Sequence, residues 1–290
     1  MDGIPFSKFH GFKNDYIVLE RTFAAGEDIG KFVKAICSRH TGAGADGVAL
    51  LTEIDGHIAD FDCEIINPDG SIATFSGNGT RCAAAYLIRS GRWSGEELRL
   101  RTRSGIKTFN LLSNDKNVTF DFESEIGKPK FASDEIPVIT AKRSAAVINE
   151  PFQIDESTYT LSAVNVGNPV AGMFVPDFEL DWRALGPKIE NHERFPSRTN
   201  VVFIRIFDRE NIEIRIWERG AGETSASGTC SVGAAILSSL QLKTDRKVKV
   251  HSPGGVTQVE WRIGDDEIII TGNAEFVYSG FWPSGAGPKR

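Results

Sequence analysis

The chain has 290 residues, 40% of them hydrophobic and 25% charged, which suits a soluble globular protein with one large domain or two ordinary ones. A net charge of −6 offers nothing to attract nucleic acid or an anionic membrane surface. No run of about 20 apolar residues is present to span a bilayer, and the N-terminal MDGIPFSKFHGF lacks the basic flank and apolar core of a signal peptide, so a cytoplasmic location is expected. Cys37, Cys63, Cys82 and Cys230 are scattered without a C-x-x-C pair, and a cytoplasmic setting keeps them reduced. Cys37 and Cys63 read as buried small hydrophobes, while Cys82 and Cys230 fall inside the two motifs discussed below and stay open.

Residues 4–20 read as two short strands around the polar turn HGFKND, where Asn14 and Asp15 are either turn formers, which the pattern favours, or a polar tip reaching a ligand. Residues 27–39 place Ile29, Phe32, Val33, Ile36 and Cys37 on one helical face. TGAGADGVALL then matches G-x-G-x-x-G through Gly42, Gly44 and Gly47. A dinucleotide fingerprint needs a strand before it and a helix after it. Here the order is reversed, with the strand VALLTEI following, so the nucleotide reading is rejected. A strand over 58–66 leads into a helix over 78–90, and residues 97–122 read as three strands with turns at Ser104–Gly105 and Asn114–Asp115.

Gly127, Pro129 and Pro137 interrupt regular structure and mark a boundary. The expected division is an N-terminal half, 1–125 plus the C-terminal strand 272–290, and a C-terminal half, 126–271. The second half repeats the plan. Strands near 158–166 and 169–175 flank the polar tip VGNP, a helix follows near 178–191, and strands 200–207 and 211–218 precede a second buried helix. Strands near 246–251, 255–262 and 266–271 follow, and the tail NAEFVYSGFW reads as a final strand returning to the first half. The expected fold is therefore α+β, two pseudo-symmetric halves, each a sheet wrapped around a central helix.

Two stretches carry the chemistry. ERGAGETSASGTCSVGAA (218–235) runs from a charged pair through a glycine loop into a small-residue helix, and NPDGSIATFSGNGTRCAAAYL (67–87) has the same design. Ser76 lies nine residues after Asn67, as Ser227 lies nine after Glu218, and glycine follows each serine. A loop-to-helix junction leaves the first helical N–H groups unpaired, and the helix dipole adds positive charge there. Such a junction suits a carboxylate or a developing negative charge. Serine before glycine is also an ordinary N-cap, so the matched pair carries the argument for an active site with two opposed functions.

Other chemistries find little support. His10, His40, His57, His192 and His251 show no zinc-binding spacing, and no metal site is expected. No G-x-S-x-G elbow surrounds either serine, the phosphate-binding G-x-x-x-x-G-K-[ST] pattern is absent, and no lysine for a pyridoxal Schiff base lies in either motif.

FSKFHGFKND, GAGADG, NPDGS, GNGTRC, VGNP, PSRTNVVF and ERGAGET occur in this order along nearly the whole chain. Together they resemble the diaminopimelate epimerases, pyridoxal-independent isomerases of lysine and cell-wall biosynthesis. The resemblance implies two similar α+β halves meeting at a cleft and no cofactor. It implies a small amino-acid substrate held by Asn14, Asn67, Asn168, Asn200, Glu218 and Arg219. Asparagine amides and a guanidinium suit a zwitterion, since they donate to carboxylate and accept from ammonium. The backbone N–H groups of Gly77–Asn78 and Gly228–Thr229 would hold the carboxylate beside the reacting carbon. Family members often pair as dimers, so a homodimer is part of the same expectation.

One departure is central. The family carries cysteine at the positions of Ser76 and Ser227, one thiolate removing the α-proton and one thiol returning a proton to the opposite face. It also tends to follow G-N-P with histidine, where this chain has Val170. A serine hydroxyl is a far weaker acid than a thiol and needs an adjacent base, which leaves Glu218 as the evident basic group. Three readings follow: an epimerase that works with Ser76, Ser227 and Glu218; a serine-bearing dehydratase or isomerase of the related proline racemase type; or an amino-acid binder with a silenced site, native or through deliberate replacement of both cysteines. Cys82 and Cys230 are the other candidate thiols, less well placed than the serines.

Overall fold

Alternating apolar residues set the first hairpin of the computed structural model, which describes residues 3–55, 57–73 and 75–283. Strands β1 (Gly3–Gly11) and β2 (Asn14–Glu20) are antiparallel, joined at Phe12 and Lys13 with φ of 55° and 68°. The turn thus belongs to Phe12–Lys13, and Asn14 and Asp15, expected as turn formers, open β2 instead. Helix α1 (Ile29–Cys37), N-capped by Asp28, crosses to β3 (Gly47–Glu53), which pairs parallel with β2 and antiparallel with β4 (Phe61–Ile66). Helix α2 (Gly77–Arg89) crosses to β5 (Glu97–Thr102), parallel to β4, and the antiparallel β6 (Gly105–Asp115) and β7 (Thr119–Gly127) follow. The β6–β7 turn sits at Lys116–Asn117, both at positive φ, so Asn114 and Asp115 end the strand rather than forming the turn.

The same order of pairings recurs. Strand β8 (Val147–Ile154), which the sequence pattern did not suggest, pairs with β9 (Ser157–Asn165), itself antiparallel to β10 (Pro169–Phe174). Helix α3 (Trp182–Glu190) crosses to β11 (Asn200–Ile206), parallel to β10 and antiparallel to β12 (Asn211–Glu218). The short β13 (Gly222–Thr224) folds back on β12, and helix α4 (Gly228–Leu240) crosses to β14 (Lys247–Ser252), parallel to β12. β15 (Gly255–Trp261) and β16 (Ile268–Pro283) complete the chain. The two strands expected over 266–271 and the tail are one continuous strand, pairing with β15 up to Thr271 and with β1 from Glu275 onward. The result is a sheet-rich α+β fold in two compact units: one takes the chain to Ser124 and again from Gly272, the other is Glu125–Thr271.

Central strands with two buried faces explain the unbroken apolar runs of the sequence. In the first unit Tyr16, Val18, Ala49 and Leu51 cluster with Cys82–Ala85 of α2, whereas Ile17, Leu19, Val48 and Leu50 cluster with Phe32, Val33 and Ile36 of α1. In the second unit Val202 and Ile204 join the α4 cluster, and Val201 and Phe203 join Trp182, Leu185 and Ile189 of α3. Every residue of α4 from Cys230 to Ser239 is buried, and the helix packs on β9, β10, β11, β12, β14 and β15. A helix enclosed on all sides needs small residues where strands approach it.

Gly233 is one such position. A Cβ there would lie 2.7 Å from Val170 Cγ1. Gly233→Ala is expected to cost about 1–3 kcal/mol by overpacking, read from urea denaturation. Adding Val170→Ala should recover part of that loss; a double variant no better than the sum of the singles would show that the contact is not the cause.

Candidate active site

In the first unit, Ser76 is the N-cap of α2, with φ −141° and ψ 117°. Its Oγ accepts from the Gly79 N–H at 3.1 Å, and its carbonyl accepts the Thr80 N–H at 2.9 Å. The N–H groups of Gly77 and Asn78 lie ahead of that ladder, as an anion-binding helix start requires. The Tyr16 hydroxyl is 2.9 Å from Ser76 Oγ. Tyr16 reaches it because α2 packs closely on β2: a Cβ on Gly79 would meet the Tyr16 ring at 3.0 Å. Asn14 accepts from Asn78 Nδ2 at 3.2 Å, so two expected ligand-binding residues touch. Asn67 is held in its own turn, donating to Ser71 Oγ at 3.0 Å, and no hydrogen bond among the described residues ties it to Ser76 or Asn78.

In the second unit, Ser227 caps α4 with φ −148° and ψ 121°, nearly the same geometry. Its Oγ accepts from the Cys230 N–H at 3.4 Å, and its carbonyl from the Ser231 N–H at 2.9 Å, leaving the Gly228 and Thr229 N–H groups ahead of the ladder. Here the partner is a carboxylate, since Ser227 Oγ donates to Glu218 Oε2 at 2.9 Å. Burial raises the Glu218 carboxyl above its ordinary pKa, against a smaller opposite pull from the Thr224 and Ser227 hydroxyls. A carboxyl so shifted is a better proton acceptor near neutral pH.

The remaining expected residues join this group. Arg219 donates its backbone N–H to Asn200 Oδ1 at 3.0 Å and its guanidinium to Asn168 Oδ1 at 3.4 Å and the Ser197 carbonyl at 3.0 Å. Asn200 also donates to the Pro169 carbonyl at 3.2 Å, so its amide ties the G-N-P loop to the Arg219 backbone. Beneath them lies Glu190, 5% exposed, which sequence reading missed. Its carboxylate accepts from Gly220 N–H at 2.9 Å, Trp217 Nε1 at 2.9 Å and Arg198 at 3.1 Å, and so fixes the chain on both sides of Glu218–Arg219. Glutamate at the end of an amphipathic helix ordinarily faces water, and nothing in its spacing marks it.

The family model described as diaminopimelate epimerase matches residues 6–131 and 162–277. The chain belongs to the diaminopimelate epimerase family. It is 41% identical over 276 residues to the diaminopimelate epimerase of Caldanaerobacter subterraneus, covering 95% of this chain and 98% of that one. The corresponding protein of Pelotomaculum thermopropionicum is 37% identical over 281 residues, at 96% and 98% coverage. Among solved structures, a hydroxyproline epimerase of Agrobacterium vitis shares the fold with a TM-score of 0.66 at 15% identity, over 97% of this chain and 91% of that one.

Val170, where the resemblance leads one to expect histidine, is wholly buried in the α4 core. Cys82 and Cys230 are also wholly buried. Desolvation pushes the Cys82 thiol up to about 12 and holds Cys230 well above its ordinary value, with the Glu218 charge adding to the latter. Thiols so placed are inert, which leaves the hydroxyls of Ser76 and Ser227 as the groups at the two helix starts. Cys37 and Cys63 are buried core residues, as their setting in the sequence suggests.

Glu218 gives a pH signature. Its folded pKa lies above the unfolded value, so its contribution to stability is greatest below about pH 4 and is lost as pH rises through the folded pKa. Glu218→Gln should therefore lose less stability than the parent between about pH 4 and pH 8, measured by urea denaturation at both ends. Parallel pH profiles would show that the carboxyl is not perturbed.

Proposed function

We propose that this protein interconverts L,L- and meso-diaminopimelate by cofactor-independent α-proton transfer. The observation that carries the reading is the matched pair of helix starts, Ser76–Gly77–Asn78 and Ser227–Gly228–Thr229, in a chain of this family. In this reading the two compact units are the two pseudo-symmetric halves, each a sheet wrapped around its buried helix, and each supplies one helix start to the substrate. The repeated order of strand pairings supports the duplication.

The partners of the serines give the two positions a direction. Ser227 Oγ takes the α-proton while its own proton passes to Glu218, and the electron pair of the broken C–H bond moves into the α-carboxylate. The helix-start N–H groups stabilise that charge. Ser76 Oγ delivers a proton to the opposite face and is reprotonated from the Tyr16 hydroxyl, which sits 2.9 Å away. Exchange with water resets Glu218 and Tyr16. Arg219, Asn168, Asn14 and Asn67 hold the ends of the substrate, and Asn200 holds Arg219. The homodimer that the resemblance implies belongs to the same proposal.

A second reading rests on the same serines. Without a thiolate at either position, the site binds the amino acid and does not turn it over. Incubation with L,L- and meso-diaminopimelate in deuterium oxide, followed by NMR, separates the two. Exchange with interconversion supports the epimerase, and binding without exchange supports the silenced binder. Release of water or ammonia instead points to the elimination chemistry of a serine-bearing dehydratase.

Two substitutions extend the test. Ser76→Cys with Ser227→Cys should raise the epimerisation rate at least about tenfold, because a thiol ionises far more readily than a hydroxyl; an unchanged rate would remove these serines from the proton path. Arg219→Ala should weaken binding of diaminopimelate about a hundredfold by removing a charge-assisted contact, and an unaltered dissociation constant in calorimetry would count against the substrate assignment.

A further inference from the structure

Arg81, three residues along α2 from Asn78, is 2% exposed and has no acidic partner among the described residues. Its Nε donates to the Asn273 carbonyl at 3.3 Å, the Phe12 ring lies 5.5 Å from its Cζ, and a Cβ on Gly272 would come within 2.9 Å of that atom. Burial lowers its pKa to about 10, which still leaves it charged at neutral pH. A buried cation without a counter-ion is costly, and an apolar side chain would fill the space at less cost. The question is what the charge acts upon.

Its guanidinium donates to Asn78 Oδ1. Asn78 Nδ2 donates to Asn14 Oδ1 at 3.2 Å, and Asn14 Nδ2 donates to Asp46 Oδ2 at 2.9 Å. Asp46 is the aspartate of GAGADG. It also accepts from the Asp15 N–H at 3.1 Å and from Arg39 at 2.6 Å. The chain therefore runs cation, amide, amide, carboxylate, all within the first unit.

An asparagine amide turned end for end swaps its donor for its acceptor with little change of shape. Turning Asn78 would set its NH2 against the Arg81 guanidinium. Turning Asn14 would set its carbonyl oxygen against the Asp46 carboxylate. Each charged end forbids one reversal, and the central bond then follows.

We propose that Arg81 and Asp46 are positioning residues that fix the polarity of the Asn14 and Asn78 amides and keep one Asn14 N–H directed to a carboxylate of the ligand. The proposal rests on the diaminopimelate reading in that it treats Asn14 as a substrate contact. It also explains why a cation is kept inside α2 and why the G-A-D-G aspartate lies beside the Asn14 amide.

The decisive variant is Asp46→Asn, at the more exposed end of the relay, where the side chain is 38% accessible. With Arg39 still donating to its oxygen, the new amide would present NH2 to the NH2 of Asn14 and to the Asp15 N–H. In the 15N-labelled full chain, the side-chain NH2 resonances of both Asn14 and Asn78 should move, although residue 46 has no hydrogen bond to Asn78. Binding of meso-diaminopimelate, measured by calorimetry, should weaken about tenfold in Asp46→Asn and in Arg81→Lys alike. The double variant should be little weaker than the poorer single, because one relay is broken only once.

An Asn78 resonance that stays fixed in folded Asp46→Asn, or affinity losses that simply multiply in the double variant, would overturn the relay. If Arg81→Lys does not fold, the transmitted shift in Asp46→Asn decides by itself. If the parent protein fails to bind meso-diaminopimelate, the substrate assignment falls. The Asn78 shift then still decides whether the relay exists.

Discussion

Two buried helices must begin somewhere, and the way they begin governs the rest of the molecule. The first N–H groups of a helix have no partner inside it. In α2 and α4 one of these groups is taken by a serine hydroxyl, and the intrahelical ladder starts at the serine carbonyl. The two N–H groups between are left at the mouth of the helix. Each helix packs on strands of its own unit, and its first turn follows directly on a loop. That loop-to-helix junction is where a negative charge is welcome.

The two capping serines are alike in backbone and unlike in chemistry. Ser76 has a phenol beside it and Ser227 a carboxylate, each at 2.9 Å. A desolvated carboxylate favours taking a proton, whereas a phenol can give one. The recurring order of strand pairings supplies two similar positions, and single side chains from strands β2 and β12 make them different. The thiols nearest to the serines in sequence are spent on packing, so the hydroxyls remain the groups with proton partners.

Around each mouth the amides are held by charged side chains. Glu190 ties Gly220 and Trp217 in the second unit, and Arg81 and Asp46 bracket two asparagines in the first. Burying charges carries a desolvation cost that packing alone does not offset. What they supply is direction, since each donor or acceptor is left with one arrangement that satisfies its neighbours. Lys8 and Arg39 reinforce the first-unit network through Asp15; burial alone would raise that carboxyl, yet their hydrogen bonds hold it well below the ordinary range.

Local pattern and motif spacing carried much of this chain. The helix of Ile29–Cys37, the helix after Ser76, the strands flanking VGNP and those before ERGAGET all follow from apolar period and turn residues. The order of motifs was enough to recognise the family. Turn positions two residues off, the unforeseen β8 and the single long β16 show where local signals end: Asn114 and Asp115 suit a turn, but the pairing with β7 keeps them in the strand. The roles of Tyr16, Asp46, Arg81 and Glu190 could not be read from the sequence. Tyr16 looks like one apolar residue of a buried strand, and only the close approach of α2, permitted by Gly79, brings its hydroxyl to Ser76. A residue's period tells which face it occupies. Which partner meets it there, and hence whether a buried charge is an error or a device, is decided by packing between segments far apart in the chain.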